Sequence, residues 1–135
     1  MSYAPVDFNT NMEMNQEKNR GIERSAIEVE SLEQWNSILE STNNIPIVLK
    51  FSADFCGPCK VLEKSPKYLK LIEIFSENCL FLKINIEKME AIANRFSISS
   101  VPTMIVLYNG EIVKQVTGAS SSAVDEIASK LNSLV

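Results

Sequence analysis

Two cysteines stand two residues apart in Cys56-Gly57-Pro58-Cys59, just after the apolar run Ile47-Val48-Leu49-Lys50-Phe51 and just before a stretch with helical spacing. Two thiols at that separation can close a small disulfide ring and open it again. Where such a pair opens a helix, the helix N-terminus turns partial positive charge and unpaired backbone N–H groups toward the first sulfur. That stabilises thiolate over thiol, and thiolate is the nucleophile of disulfide exchange. The pattern predicts a thiol–disulfide oxidoreductase.

The rest of the composition narrows the alternatives. The chain has 135 residues, 45% of them apolar, which is enough for one domain with a substantial core. A net charge of −4 and the lack of a basic patch argue against nucleic acid as a partner. No apolar run approaches the roughly 20 residues that span a bilayer, so no membrane association is expected. The absence of histidine excludes Cys–His pairs and His-ligated metals. Zinc needs about four ligands in a structural site, and one close cysteine pair with a distant third could supply them only in a dimer, so no metal is expected. Three cysteines are too few for a disulfide-stapled secreted scaffold. No signal peptide and no glycosylation sequon is visible. A cytoplasmic, reducing compartment is the expectation.

Residues 1–24 keep neither helical nor strand period and read as a flexible extension; their acids speak against a transit peptide, although organelle targeting is left open. Residues 25–135 read as one domain. Ala26–Val29 alternates as a short strand. Ser31 with Gln34 forms a capping box before the stripe Leu32, Trp35, Ile38, Leu39, and Trp35 reads as core. Ile45–Phe51 is a nearly continuous apolar strand. After the cysteines a long helix is expected, kinked at Pro66. Leu80–Ile86 reads as a strand, Lys88–Phe96 as a short helix and Met104–Tyr108 as a strand. Asn109-Gly110 is a hairpin turn, Glu111–Thr117 the returning strand, and one of Ser120, Ser121 or Ser122 caps a last helix. The predicted order βαβαβαββα implies an α/β fold: a mixed sheet, parallel in its first half, with helices on both faces.

This order, with Cys56-Gly57-Pro58-Cys59-Lys60 after the second strand and Val101-Pro102-Thr103 before the fourth, resembles the thioredoxin family. Ala53, Lys83, Asn109-Gly110 and Gly118 agree as well, and the likeness runs from about Ser25 to the C-terminus. The resemblance implies the thioredoxin fold and a redox-active Cys56–Cys59 disulfide. It implies Cys56 as the attacking thiolate, Cys59 as the buried resolving thiol and Pro102 as a cis-proline that brings the Val101 backbone beside the sulfurs. Gly57, Pro58, Val101, Thr117, Gly118 and Ala119 match the surface that docks partners. The implied activity is that of a monomeric protein-disulfide reductase that carries electrons and binds no cofactor. Thioredoxin reductase would supply those electrons from NADPH, and the clients would be disulfide-containing proteins. An oxidase or isomerase, or an adaptor that keeps the fold, are the rival readings.

Three departures from the family pattern bear on the site. Lys50, six residues before Cys56, replaces the usual buried aspartate and should lie near Lys83. Either it bends its ammonium to solvent and water takes the carboxylate's place, or the proton relay differs from the usual one. A nearby Lys⁺ would favour the Cys56 thiolate, and the missing acid would slow resolution. Phe55 replaces a tryptophan and should keep the apolar shield without an N–H donor. Pro66 comes two residues later than the usual kink, so the bend should move by about half a turn. Cys79, the third thiol, reads as buried and structural, the alternative being a regulatory or dimer-forming role.

Overall fold

The computed structural model describes residues 26–135, and the expectation for residues 1–24 lies outside the described residues. Among the described residues five strands and five helices follow one another: β1 (Ile27–Glu28), α1 (Leu32–Ser41), β2 (Ile47–Ser52), α2 (Gly57–Lys64), α3 (Pro66–Phe75), β3 (Leu80–Asn85), α4 (Glu90–Arg95), β4 (Thr103–Tyr108), β5 (Glu111–Thr117) and α5 (Ser121–Leu134). They form one mixed sheet in the order β1-β3-β2-β4-β5. β3 runs parallel to both β1 and β2, whereas β4 is antiparallel to β2 and to β5.

The sheet's two faces follow from strand alternation. Ile47, Leu49 and Phe51 of β2 pack with Leu82, Ile84, Ile105 and Leu107 against Trp35 of α1 and Ile92 of α4. Val48 of the same strand joins Met104, Val106 and Phe81 under Leu62, Tyr68, Ile72 and Phe75 of α2 and α3 and the α5 stripe Val124, Ile127, Ala128, Leu131. Trp35 is buried, as its place on the stripe predicts, and meets Phe96 edge-on at 5.9 Å between ring centroids.

Local signals set most boundaries. The Ser31 hydroxyl accepts the Gln34 N–H at 3.0 Å and opens α1. The Gln34 side chain reaches back to the Glu30 N–H at 2.6 Å, one residue before the cap. Of the three candidate serines, Ser120 caps α5, its hydroxyl accepting from the Ala123 N–H at 3.1 Å. Asn109 and Gly110 both have positive φ, 50° and 82°, which turns β4 into β5 with the twist of the sheet.

The expected long helix with a kink is instead two helices. Ser65 lies in extended backbone (φ −63°, ψ 125°), the region to which a following proline drives its neighbour. Its N–H still donates to the Leu62 carbonyl and ends α2, while its hydroxyl accepts from the Tyr68 N–H and starts α3. Pro66 stands in the first turn of α3, where no intrahelical N–H is required. The bend therefore becomes a break, and α2 is left as an eight-residue helix with Cys56 at its N-cap and Cys59 in its first turn.

Candidate active site

The C-terminal end of β2 delivers the chain to Cys56, and antiparallel β4 begins beside that end, Phe51 being the partner of Thr103. The segment before β4 must therefore lie next to the start of α2. The Val101–Pro102 peptide is cis, and the Val101 carbonyl oxygen lies 3.8 Å from Cys56 Sγ. Thr103 is also the partner of Thr117, which brings Thr117, Gly118 and Ala119 to the same rim. The Gly118 N–H donates to the Pro102 carbonyl at 2.9 Å. Gly118 sits at φ 94°, a conformation that other residues adopt only under strain.

Cys56 is itself the N-cap of α2. Its sulfur accepts the Cys59 N–H at 3.1 Å, satisfying one of the orphan donors of the helix start. Pro58 occupies the first turn, where its missing N–H leaves no bond unmade. Cys56 and Cys59 are joined as a disulfide, with Cα atoms 5.2 Å apart. The first cysteine retains 8% of its surface and the second 2%, so neither sulfur stands far out in solvent. What is open is the rim around them: Gly57, Pro58 and Thr117 are exposed, and Val101, Gly118 and Ala119 are half-buried. Phe55 does not shield the site as expected. It is 96% exposed and so packs against little of the domain.

Beneath α2 the structure corrects the expectation for Lys50. Its side chain is 1% exposed rather than bent to solvent, with the ammonium 3.2 Å from a Glu63 carboxylate oxygen and 4.9 Å from the centre of the Tyr68 ring. An ion pair, flanked by an aromatic face, takes up the charge. Lys83 is half-buried and stands in register beside Lys50 on the neighbouring strand.

Two arrangements near the cysteines escaped sequence reasoning. Glu63, four residues after Cys59 on α2, is marked by no local pattern; Lys50 inside an apolar strand is the one feature that pointed toward a compensating charge. Asp54, two residues before Cys56, accepts from the Asn85 side-chain amide at 2.9 Å. Asn85 at the end of β3 in turn accepts the N–H groups of Glu87 and Lys88 at 2.8 and 3.1 Å, pinning the loop that leads into the site. Cys79 is free and buried, and desolvation pushes its thiol up to about 11. Among the described residues no cluster of three His, Cys, Asp or Glu could hold a metal, and no helix is long and apolar enough to cross a membrane.

A sulfur capped by the amide of its partner cysteine, set beside a cis-proline loop on a mixed sheet, defines a thiol–disulfide exchange site. The sequence profile of thioredoxin matches residues 26–133, and the chain belongs to the thioredoxin family. It is 30% identical to thioredoxin H5 of Arabidopsis thaliana over 115 residues, which cover 84% of this chain and 95% of that protein. A 98-residue stretch is 40% identical to peptide-N(4)-(N-acetyl-beta-glucosaminyl)asparagine amidase of Caenorhabditis briggsae, covering 72% of this chain but 16% of that protein. Among solved structures, Schistosoma mansoni thioredoxin superposes with a TM-score of 0.69 at 34% identity, over 80% of this chain and 96% of that one. Family and fold support thiol–disulfide oxidoreductase chemistry; the family in general is reduced by thioredoxin reductase and acts on disulfide clients.

Proposed function

We propose that the chain is a protein-disulfide reductase. The Cys56 thiolate attacks a client disulfide and forms a mixed disulfide. The Cys59 thiolate then attacks the Cys56 sulfur, closing the Cys56–Cys59 bond and releasing the reduced client thiol. Two electrons pass from the dithiol to the client, and thioredoxin reductase returns them from NADPH. Extended clients dock on the rim of Gly57, Pro58, Val101, Thr117, Gly118 and Ala119, with Phe55 as an exposed apolar contact. Pro102 holds the Val101 backbone at the reacting sulfur. The domain works as a cytoplasmic monomer without a bound cofactor.

The observation that supports this reading most is the Cys59 N–H aimed at Cys56 Sγ at 3.1 Å, which favours a thiolate at that atom once the disulfide is opened. The test is insulin reduction with NADPH and thioredoxin reductase, together with the reduction potential of the Cys56–Cys59 pair. Turnover with a potential of roughly −270 mV is expected; a value near −120 mV would make the protein an oxidant.

The amidase relative favours a second reading, in which the same fold serves as a module or adaptor beside another activity. Such a module need not reduce insulin, so the one assay separates the two.

A further inference from the structure

A buried ammonium meets a carboxylate from α2, the helix that Cys56 caps and that holds Cys59. We propose that Glu63 is a positioning residue for the exchange reaction: it keeps the Lys50 ammonium charged and drawn toward α2, and that charge favours the Cys59 thiolate in the resolving step. The inference rests on the exchange chemistry proposed above.

Lys50 retains 1% of its surface, and a side chain so far removed from water keeps its proton only beside compensating charge. Glu63 supplies that charge at 3.2 Å and, at 29% exposure, remains in touch with solvent. Glu63 and Cys59 are four residues apart on α2, so both project from the same side of the helix. The groups facing Lys50 from the surrounding elements are consistent with this role. β3 presents Lys83 in register. β4 presents Met104, which does not titrate, and α3 presents the ring of Tyr68. α2 itself presents Glu63, with Cys59 one turn before it on the same helix.

Resolution needs Cys59 as thiolate. Its proton leaves to solvent, the thiolate attacks Cys56 Sγ, the Cys56–client sulfur bond breaks, and the client departs as a thiolate. No base has to accept the proton if a fixed cation lowers the energy of the anion that remains. Glu63 acts through Lys50 and has no role without it.

Reaction of the reduced full chain with dithiobis-nitrobenzoate separates the two thiols. Cys56 releases one chromophore as it forms the mixed disulfide, and Cys59 releases the second as it closes the ring. The second-phase rate is followed against pH in the native chain, Lys50→Met, Glu63→Gln, Glu63→Asp and the double variant Lys50→Met/Glu63→Gln. Lys50→Met should move the second-phase midpoint up by about one pH unit, making this phase roughly tenfold slower at neutral pH and normal at high pH. Glu63→Gln should move it in the same direction by about half as much, and Glu63→Asp should restore it. In the Lys50→Met background Glu63→Gln should add nothing. A Glu63→Gln midpoint that stays in place or moves down overturns the proposal, as does an equal shift in both backgrounds. Release of only one chromophore by the native chain would sink the exchange reading itself, a result distinct from any of these.

Discussion

β2 faces two different environments, and the contrast separates what folds this chain from what tunes it. On one side Ile47, Leu49 and Phe51 are buried in an apolar cluster with Trp35, Leu82, Ile84 and Ile105. On the other, Val48 is followed by Lys50, whose ammonium lies under the cysteine helix in contact with Glu63. Replacing a buried ion pair by apolar residues of similar volume is often neutral or stabilising, so stability alone gives no reason to keep this one. The first face is filled by apolar volume, whereas the second sets one buried ion pair beside its apolar residues. A change on the first should alter how much protein is folded; a change on the second should alter how the folded protein reacts.

The largest effect belongs to the sulfurs that the charged face supports. Cys56→Ser should abolish disulfide reduction, whereas Cys59→Ser should leave the first attack intact and trap clients as mixed disulfides. Non-reducing electrophoresis of each variant with an oxidised client reads this out, and trapping by Cys56→Ser but not by Cys59→Ser would reverse the two roles.

Next comes the apolar side. Leu49 is fully buried, and Leu49→Ala should cost about 2–5 kcal/mol by denaturant unfolding, from lost transfer energy and the cavity left behind. Below the unfolding transition its specific activity should stay native. A Leu49→Ala protein that stays stable, or that is folded but slow, would show that the two faces are not separable in this way.

Lys50→Asp sharpens the comparison from the other side. It exchanges the ammonium for a carboxylate beside Glu63 and near Lys83 in register. The Cys56 thiolate absorbance should then titrate about one pH unit higher, because a cation that favours the anion has been replaced by an acid. Identical titration and identical turnover in the two proteins would leave Lys50 without electrostatic influence on the site.

The same contrast explains what could be read from the sequence. The apolar face was legible at its centre, since alternation in β2 and the place of Trp35 on its stripe report burial directly, whereas Leu32 at the start of that stripe is exposed. So were the cysteine pair, the hairpin at Asn109-Gly110 and the cap at Ser31, whose signals lie within a few residues. The Pro66 segment was legible as an interruption but not as a break, because the outcome depended on Ser65 serving as cap to helices on both sides. The Lys50–Glu63 and Asp54–Asn85 contacts join separate elements of the chain, and no local spacing encodes which acid a buried lysine will meet. Most lysines stand in water, which is the expectation for Lys50; its burial against Glu63 and Tyr68 overrode it.

The smallest effect is expected at Cys79, which stands just before β3, at the end of the sheet where β2 begins, whereas Cys56 follows the end of β2. It shares the face that holds Lys50 but sits in its apolar part, with Phe75 and Phe81. Burial raises its thiol from 9.0 to about 11, the opposite of what a reactive thiol requires. Mild alkylation of the reduced, folded chain near neutral pH should therefore modify Cys56 and spare Cys79, and Cys79→Ser should leave the non-reducing gel pattern unchanged. The linkage has a definite sign. A folded-state value above the unfolded one means that the native protein holds the proton more tightly, so this contribution is complete below pH 9.0 and is lost as pH rises to about 11. Native stability should fall more steeply across that window than the stability of Cys79→Ala. Equal slopes, or rapid alkylation of Cys79 in the folded chain, would mean that the thiol is open to solvent and that the apolar part of this face is not closed around it.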